Sequence, residues 1–133
     1  MIYNLFISHS WAYSDAYEKL KSLLNSADNF TWRDYSVPMN DPIHTKGSER
    51  ELKQAIERQI APASCVLILA GVYSTYSKWI NIEIEIAKAY GKPIIAIEPW
   101  GSEKTSTVVK QAANKIVKWN TSSIVSAIKE LCN

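Results

Sequence analysis

Two glutamates, Glu83 and Glu85, are the side chains whose type and spacing most clearly suggest chemistry. They fall in a segment with helical periodicity, where each residue advances about 100° around the axis. Glu83 therefore lies within an apolar arc, whereas Glu85 lies on the polar face with Asn81 and Lys88. Because the two carboxyl groups point to opposite sides, they cannot act together as the acid pair of a glycosidase. Besides Glu83, the arc is predicted to comprise Trp79, Ile80, Ile84, Ile86, Ala87 and Tyr90.

An inward-facing carboxylate is costly unless it is paired, hydrogen-bonded or functional. Glu83 could cap a backbone group or pair with a lysine, which would make it a structural residue. It could instead line a ligand pocket, because it falls early in its helix and ligands bind at the carboxyl edge of a parallel sheet. We favour the ligand pocket.

Polar side chains also follow the first predicted strand, in the order Ser8, His9 and Ser10. Hydroxyls and an imidazole there could bind phosphate or ribose, although Ser and His are also common in turns and caps. At and after the end of the second predicted strand, Trp32 and Tyr35 could stack on a base or a nicotinamide ring, or they could cover the end of the core. The sequence contains neither GxGxxG nor GxxxxGK[ST], so the standard phosphate-binding loops are excluded.

Apolar runs and helical patterns alternate along the chain and predict the elements that position these residues. A capping box of Ser48 and Glu51 opens the second helix, Pro62 stops it, and Gly91 caps the third helix. The alternation predicts a flavodoxin-like three-layer α/β fold, with one five-stranded parallel sheet and helices on both faces, in a single domain over 1–133. Strands are predicted at 2–7, 30–33, 65–70, 93–97 and 116–119. The other helices are predicted at 14–27, 78–90, 106–113 and 122–131.

The overall composition is that of a soluble globular protein, with 47% hydrophobic and 21% charged residues. A net charge of +2 without a basic run predicts no nucleic-acid partner. No apolar run is long enough to span a bilayer and no signal peptide is indicated, so no membrane association is expected. Cys65 and Cys132 lie far apart and suggest no disulfide, and His9 and His44 lack further ligands for a metal. A reducing, cytoplasmic location is therefore expected.

Four segments carry a family pattern: LFISHSW at 5–11, WRDYSVP at 32–38 with NDPI at 40–43, the stretch 65–97, and KIVKWN at 115–120. Within the third segment, Ser77, Trp79 and Glu83 form an SxWxxxE arrangement that precedes the GKPII strand. Together they cover essentially the whole chain and resemble the TIR-like (Toll/interleukin-1 receptor-like) domains of bacterial antiviral systems, particularly the Thoeris ThsB family. The SxWxxxE arrangement is fairly specific, whereas the FISHS motif alone would not be.

The resemblance implies an enzyme that cleaves NAD, releases nicotinamide and makes a cyclic or modified ADP-ribose signal. Glu83 would be its catalytic residue, contacting the nicotinamide ribose and stabilising the oxocarbenium-like charge. NAD is then the substrate, no further cofactor is needed, and the product activates a separate effector protein in antiviral defence. The substrate-binding residues implied are Ser8, His9 and Ser10 on the floor of the site, Trp32, Asp34 and Tyr35 beside a lid, and Ser77 and Trp79 at the ribose.

Two other classes of protein are compatible with an α/β domain of this size. A receiver domain would need acidic residues after the first strand and an aspartate after the third, where this chain has Ser8 and Ala70. That class is therefore disfavoured. A non-catalytic TIR module that self-assembles or docks on a partner stays open, although Glu83 in the apolar arc favours the enzyme. Self-association could also complete an enzymatic site.

Overall fold

The structure is a computed structural model that describes residues 2–8, 14–36, 48–69, 78–98 and 107–132. Strands and helices alternate along these residues, as the sequence predicts. The strands are β1 (Ile2–Ser8), β2 (Thr31–Asp34), β3 (Cys65–Leu69), β4 (Ile94–Glu98) and β5 (Lys115–Lys118). The helices are α1 (Ser14–Asn25), α2 (Glu49–Ile60), α3 (Lys78–Ala89), α4 (Thr107–Ala112) and α5 (Thr121–Leu131).

The five strands form one sheet in the order β2-β1-β3-β4-β5, and every neighbouring pair is parallel. This is the flavodoxin-like order, so the predicted fold is confirmed. The order reverses between β1 and β3, where Ser8 at the end of β1 pairs with Ile68. In sheets of this kind, the crevice at the reversal point is where ligands bind.

Helices cover both faces of the sheet because strand side chains alternate between the two faces. One core packs α1 and α5 against residues such as Leu5, Ile7 and Leu67. The other core packs α2, α3 and α4 against residues such as Phe6 and Val66. All five residues of the central strand β3 are buried, as expected for a strand covered on both sides. Glu83 and Ser8 both belong to the side of the sheet that carries α3.

Two local signals in the sequence end or begin helices as predicted. The Ser48 side chain accepts a hydrogen bond from the Glu51 backbone N–H at 3.2 Å and thereby caps α2. Gly91 adopts a φ of 66°, which suits glycine, and follows the end of α3. Its N–H donates to Lys88 O at 3.1 Å, while Lys92 N–H donates to Ala87 O at 2.8 Å. These two bonds form a Schellman motif, which satisfies carbonyls that the helix end leaves free.

The cysteines contradict the sequence-based expectation. Cys65 at the start of β3 and Cys132 just after α5 form a disulfide, with their Cα atoms 5.6 Å apart. Both are buried in the core beneath α5, and neither is a free thiol. The expectation failed because the two residues are 67 positions apart, and only the packing of α5 against the centre of the sheet brings them together.

No helix in the described ranges is long and apolar enough to cross a membrane. Within the same ranges, no group of three or more His, Cys, Asp or Glu side chains could hold a metal ion. Both candidate histidines of the sequence, His9 and His44, lie outside the described residues.

Candidate active site

Glu83 is buried in the second turn of α3, with only 4% of its surface exposed. Its neighbours on the helix, Ile80, Ile84 and Ala87, are buried in the same apolar core as Phe6 of β1. The predicted apolar arc is therefore confirmed around Glu83. It is wrong at Tyr90, which follows the last residue of α3 and is 48% exposed, although its N–H still donates to Ile86 O at 3.0 Å as in the helix.

The Glu85 carboxylate faces the opposite way, as the helical spacing predicts. Its side chain is 70% exposed and forms an ion pair with Lys53 of α2, with 3.5 Å between Nζ and Oε1. The two glutamates of α3 thus differ in environment although they are two residues apart. Glu85 offers a matched control for any experiment on Glu83.

Ser8 is the buried partner of Glu83 on the sheet. It is the last residue of β1, it is 2% exposed, and strand alternation places it on the same face as Phe6, beneath α3. Ser8 and Glu83 are the only two polar side chains that are buried among the described residues. A strand end and an early helical turn thereby bring one hydroxyl and one carboxyl together at the reversal point of the sheet.

Burial dominates the electrostatics of this pair. It raises the pKa of Glu83 to about 8, and the nearby Ser8 hydroxyl acts in the opposite direction by favouring the charged form. The hydrogen bond is nevertheless incomplete, because Ser8 Oγ and Glu83 Oε2 each lack a well-aligned partner among the described residues. The Ser8 hydroxyl thus lies near the Glu83 carboxyl group, but the two groups are not aligned as a hydrogen bond. Glu83 is therefore mostly neutral at pH 7 when no ligand is present.

The chain that leaves β2 is tied to the end of β1 by a set of polar contacts. Asp34 uses both carboxylate oxygens: Oδ2 accepts from the Tyr17 hydroxyl, and Oδ1 accepts from the Ser36 N–H at 2.9 Å. Ser36 Oγ accepts in turn from the Ile7 N–H at 3.0 Å, next to Ser8. Burial and the contact with Asp34 raise the pKa of Tyr17. Asp34 thus anchors the β2 exit, and its predicted substrate contact stays a prediction.

Sequence reasoning missed Tyr17 and Ser36 as members of this polar set. The periodicity of α1 places Tyr17 on the side that faces the sheet, together with Leu20 and Leu24, and so marks it only as a core residue. Ser36 follows the Trp-Arg-Asp-Tyr stretch without any pattern of its own. The useful signal would have been the strand register, which a single sequence does not provide.

The aromatic residues of the β2 segment lie in different places. Trp32 pairs with Tyr3, five residues before Ser8, which corresponds to about 16 Å along the strand. Its Nε1 donates to Asn25 Oδ1 at 2.9 Å, at the far end of α1, and its ring packs against the core. The structure therefore does not bring Trp32 to Ser8. The half-buried Tyr35 lies nearer, because its N–H donates to Leu5 O at 2.8 Å.

The remaining residues of the predicted site are His9, Ser10, Ser77 and Trp79. His9, Ser10 and Ser77 lie outside the described residues, as does the side chain of Trp79, whose backbone belongs to α3. Their predicted roles at the phosphate and ribose stay predictions. The described part of the site is thus Glu83, Ser8 and the polar contacts around Asp34.

Fold and site together define a flavodoxin-like α/β domain in which Glu83 is the one buried carboxyl group of the described residues, at the reversal point of the sheet. Residues 6–104 match the family model of the TIR-like domain of the Thoeris protein ThsB. The chain belongs to this family, and the resemblance seen in its motifs is confirmed. No curated protein sequence matches the chain closely enough to add to this assignment.

Two solved structures share the fold at low sequence identity. The CMP N-glycosidase BcmB of Clostridium botulinum is 15% identical, with a TM-score of 0.55 and coverage of 95% of this chain and 98% of its own. A 3-dehydroquinate dehydratase-like protein of Bifidobacterium longum is 9% identical, with a TM-score of 0.52 and coverage of 99% and 95%. At such identities the likeness describes the fold alone.

Proposed function

We propose that this domain cleaves the N-glycosidic bond of NAD, with Glu83 as the catalytic carboxylate. The observation that carries the proposal is a buried carboxyl group, 4% exposed, that no described cation neutralises, at the reversal point of a parallel sheet. A group so costly to bury is expected where function requires it. Membership of the ThsB TIR-like family supports the same reading.

Cleavage of this N-glycosidic bond requires little acid–base chemistry from the protein. The bond between the ribose C1′ and the pyridinium nitrogen breaks, and its electron pair neutralises the ring, so that nicotinamide leaves without needing a proton. Positive charge develops on C1′ and the ring oxygen of the ribose. An ionised Glu83 held beside these atoms stabilises that charge in a site with few competing waters. Water then captures C1′ to give ADP-ribose, or a nucleophile of the same molecule captures it to give a cyclic product.

The test is incubation of purified protein with NAD, with nicotinamide release followed by chromatography. Glu83→Gln keeps the shape of the side chain and removes its charge, and we expect it to lower the rate by at least about a hundredfold. Glu85→Gln changes an exposed residue of the same helix and is expected to keep the wild-type rate. Release that survives in Glu83→Gln would remove this carboxylate from the mechanism.

A second candidate is cleavage of a neutral nucleotide, for which the raised pKa of Glu83 is the favouring observation. A neutral base leaves as an anion unless it is protonated, and a carboxyl group that is still protonated at pH 7 could act as the general acid. CMP, the substrate named for the structurally similar BcmB, is the probe. Cytosine release in the same assay, without nicotinamide release from NAD, would favour this candidate. A domain that acts only through protein contacts would release neither base.

The biological role proposed here is the production of an antiviral signal in the cytoplasm, where NAD is available. On this proposal, the cyclic or modified ADP-ribose product binds and activates a separate effector protein, and self-association of the domain completes its site. The support is the family to which the chain belongs. Mass spectrometry of the nucleotide formed from NAD would identify the product, and sedimentation analysis with and without NAD would test self-association.

A further inference from the structure

The environment of Glu83 leaves one described side chain able to stabilise its charge. Residues of β1 and β3 that pack beneath α3 carry no charge. On α2, Lys53 is directed to Glu85, and on α4, Lys110 is exposed. The other described charged side chains of α2 lie at least partly at the surface: Arg50, Glu51, Glu57 and Arg58. Only the Ser8 hydroxyl counters the effect of burial on Glu83 within the described part of the chain.

Ser8 itself has no competing use for its hydroxyl among the described residues. Its Oγ and Glu83 Oε2 are two of the three buried side-chain polar atoms that lack a hydrogen bond, and the third is Asn4 Oδ1. One of the pair can donate and the other can accept. A buried donor and a buried acceptor that lie near each other without an aligned bond can form one by rotation of their side chains, and the bond is strongest when the acceptor is ionised.

We propose that Ser8 is a positioning residue, whose hydroxyl donates to the carboxylate of Glu83 and stabilises its ionised form relative to the neutral one. The backbone of β1 fixes the hydroxyl, because Ser8 is paired with Ile68 in the centre of the sheet. Ser8 thus acts through Glu83, in addition to any contact with the nucleotide. The effect of Ser8 on catalysis rests on the proposed function, whereas the pairing of Ser8 with Glu83 does not.

The direct test is a titration of Glu83 by NMR, in ligand-free protein labelled with ¹³C at the glutamate carboxyl groups. The signal is assigned by its loss in Glu83→Gln. In Ser8→Ala, the midpoint of the titration is expected to rise by about one pH unit, because a hydrogen bond to a charged group is lost. Ser8→Thr keeps the hydroxyl and is expected to titrate like the wild type. An unchanged midpoint in Ser8→Ala overturns the proposal.

Ser36→Ala is the matched control, because it removes a hydroxyl from the same edge of the sheet that bonds Ile7 instead of Glu83. We expect it to leave the midpoint of Glu83 unchanged, and an equal rise in this variant would overturn the specific pairing. If Ser8→Ala does not fold, as judged by circular dichroism, Ser8→Cys is used. The thiol is of similar size but is a weak hydrogen-bond donor, so the titration midpoint of Glu83 is expected to rise in Ser8→Cys. An unchanged midpoint would overturn the pairing.

Activity provides a second readout that separates the pairing from the proposed function. For nicotinamide release, kcat/KM of Ser8→Ala is expected to fall about tenfold at pH 7 and to approach the wild-type value above pH 9. A loss that is equal at all pH values would mean that Ser8 acts by its contact with the nucleotide or by its packing and not through the charge of Glu83, and it would overturn the positioning role. If the NMR midpoint rises as expected while the wild type releases no nicotinamide, the pairing stands and the proposed function fails.

Discussion

Replacement of Glu83 by Gln should stabilise the fold, and the gain should grow with pH. The pKa of Glu83 is raised by burial from 4.5 to about 8 in the folded chain. Between these values the folded state holds a proton that the unfolded state has lost, so stability falls as pH rises. The loss amounts to about 1.4 kcal/mol for each pH unit. This loss of stability is absent below the pKa of Glu83 in the unfolded chain, and it is complete above the pKa of Glu83 in the folded chain. From pH 5.5 to pH 7, the wild type should therefore lose about 2 kcal/mol relative to Glu83→Gln.

The measurement is urea unfolding of both proteins at pH 5.5 and pH 7, followed by circular dichroism. Other titrating groups, including both histidines, are common to the two proteins and cancel in the difference. Glu85→Gln serves as the control, because Glu85 is 70% exposed and its removal should leave the difference from wild type nearly independent of pH. A difference for Glu83→Gln that stays constant within about 0.5 kcal/mol between the two pH values would refute the reasoning, because it would mean that the carboxyl group is solvated or paired.

Three further predictions concern the ligand, the disulfide and the β2 exit. NAD carries a positively charged nicotinamide ring, so its binding at pH 7 should ionise Glu83 and release close to one proton. Calorimetry in buffers of different ionisation enthalpy measures this proton release, and proton uptake would contradict the prediction. Reduction of the Cys65–Cys132 disulfide, which closes a loop of 67 residues, should lower the free energy of unfolding by about 4 kcal/mol in urea titrations, and a Cys132→Ala variant should not respond to reductant. Tyr17→Phe removes the hydrogen bond to Asp34 and should lower the free energy of unfolding by about 1 kcal/mol; an unchanged urea midpoint would show that the bond contributes nothing.

The fold was readable from the sequence because its signals are local. Continuous apolar runs such as that of β3 predict buried parallel strands, and helical spacing separates the buried face of α3 from the exposed one. The inward direction of Glu83 followed from that spacing alone. The same rule misplaced Tyr90, because periodicity carries no information on how far the core extends along a helix, and Tyr90 at the end of α3 is 48% exposed.

Contacts between distant segments could not be read in the same way. The family resemblance implies that Trp32 lies near the ligand, with a position over the core as the alternative, and strand register places Trp32 opposite Tyr3, toward the other end of the sheet. The disulfide between Cys65 and Cys132 depends on how α5 lies over β3, which no local pattern specifies. Both differences arise at the level of tertiary packing. The inward direction of Glu83 depends only on the spacing within one helix, and it could therefore be predicted.

A neutral Glu83 in the ligand-free protein does not conflict with an ionised Glu83 in the proposed reaction. At pH 7, ionising a group with a pKa of about 8 costs only about 1.4 kcal/mol, which is small beside the binding energy available from a dinucleotide. A cationic nicotinamide ring next to the carboxyl group supplies part of this energy directly, whereas an uncharged base supplies none. The buried site would therefore develop its catalytic charge when a cationic nucleotide occupies it. Burial would then favour the binding of a pyridinium nucleotide to the ionised form of Glu83, whereas a neutral nucleotide would leave Glu83 protonated, which is the form that the second candidate reaction requires.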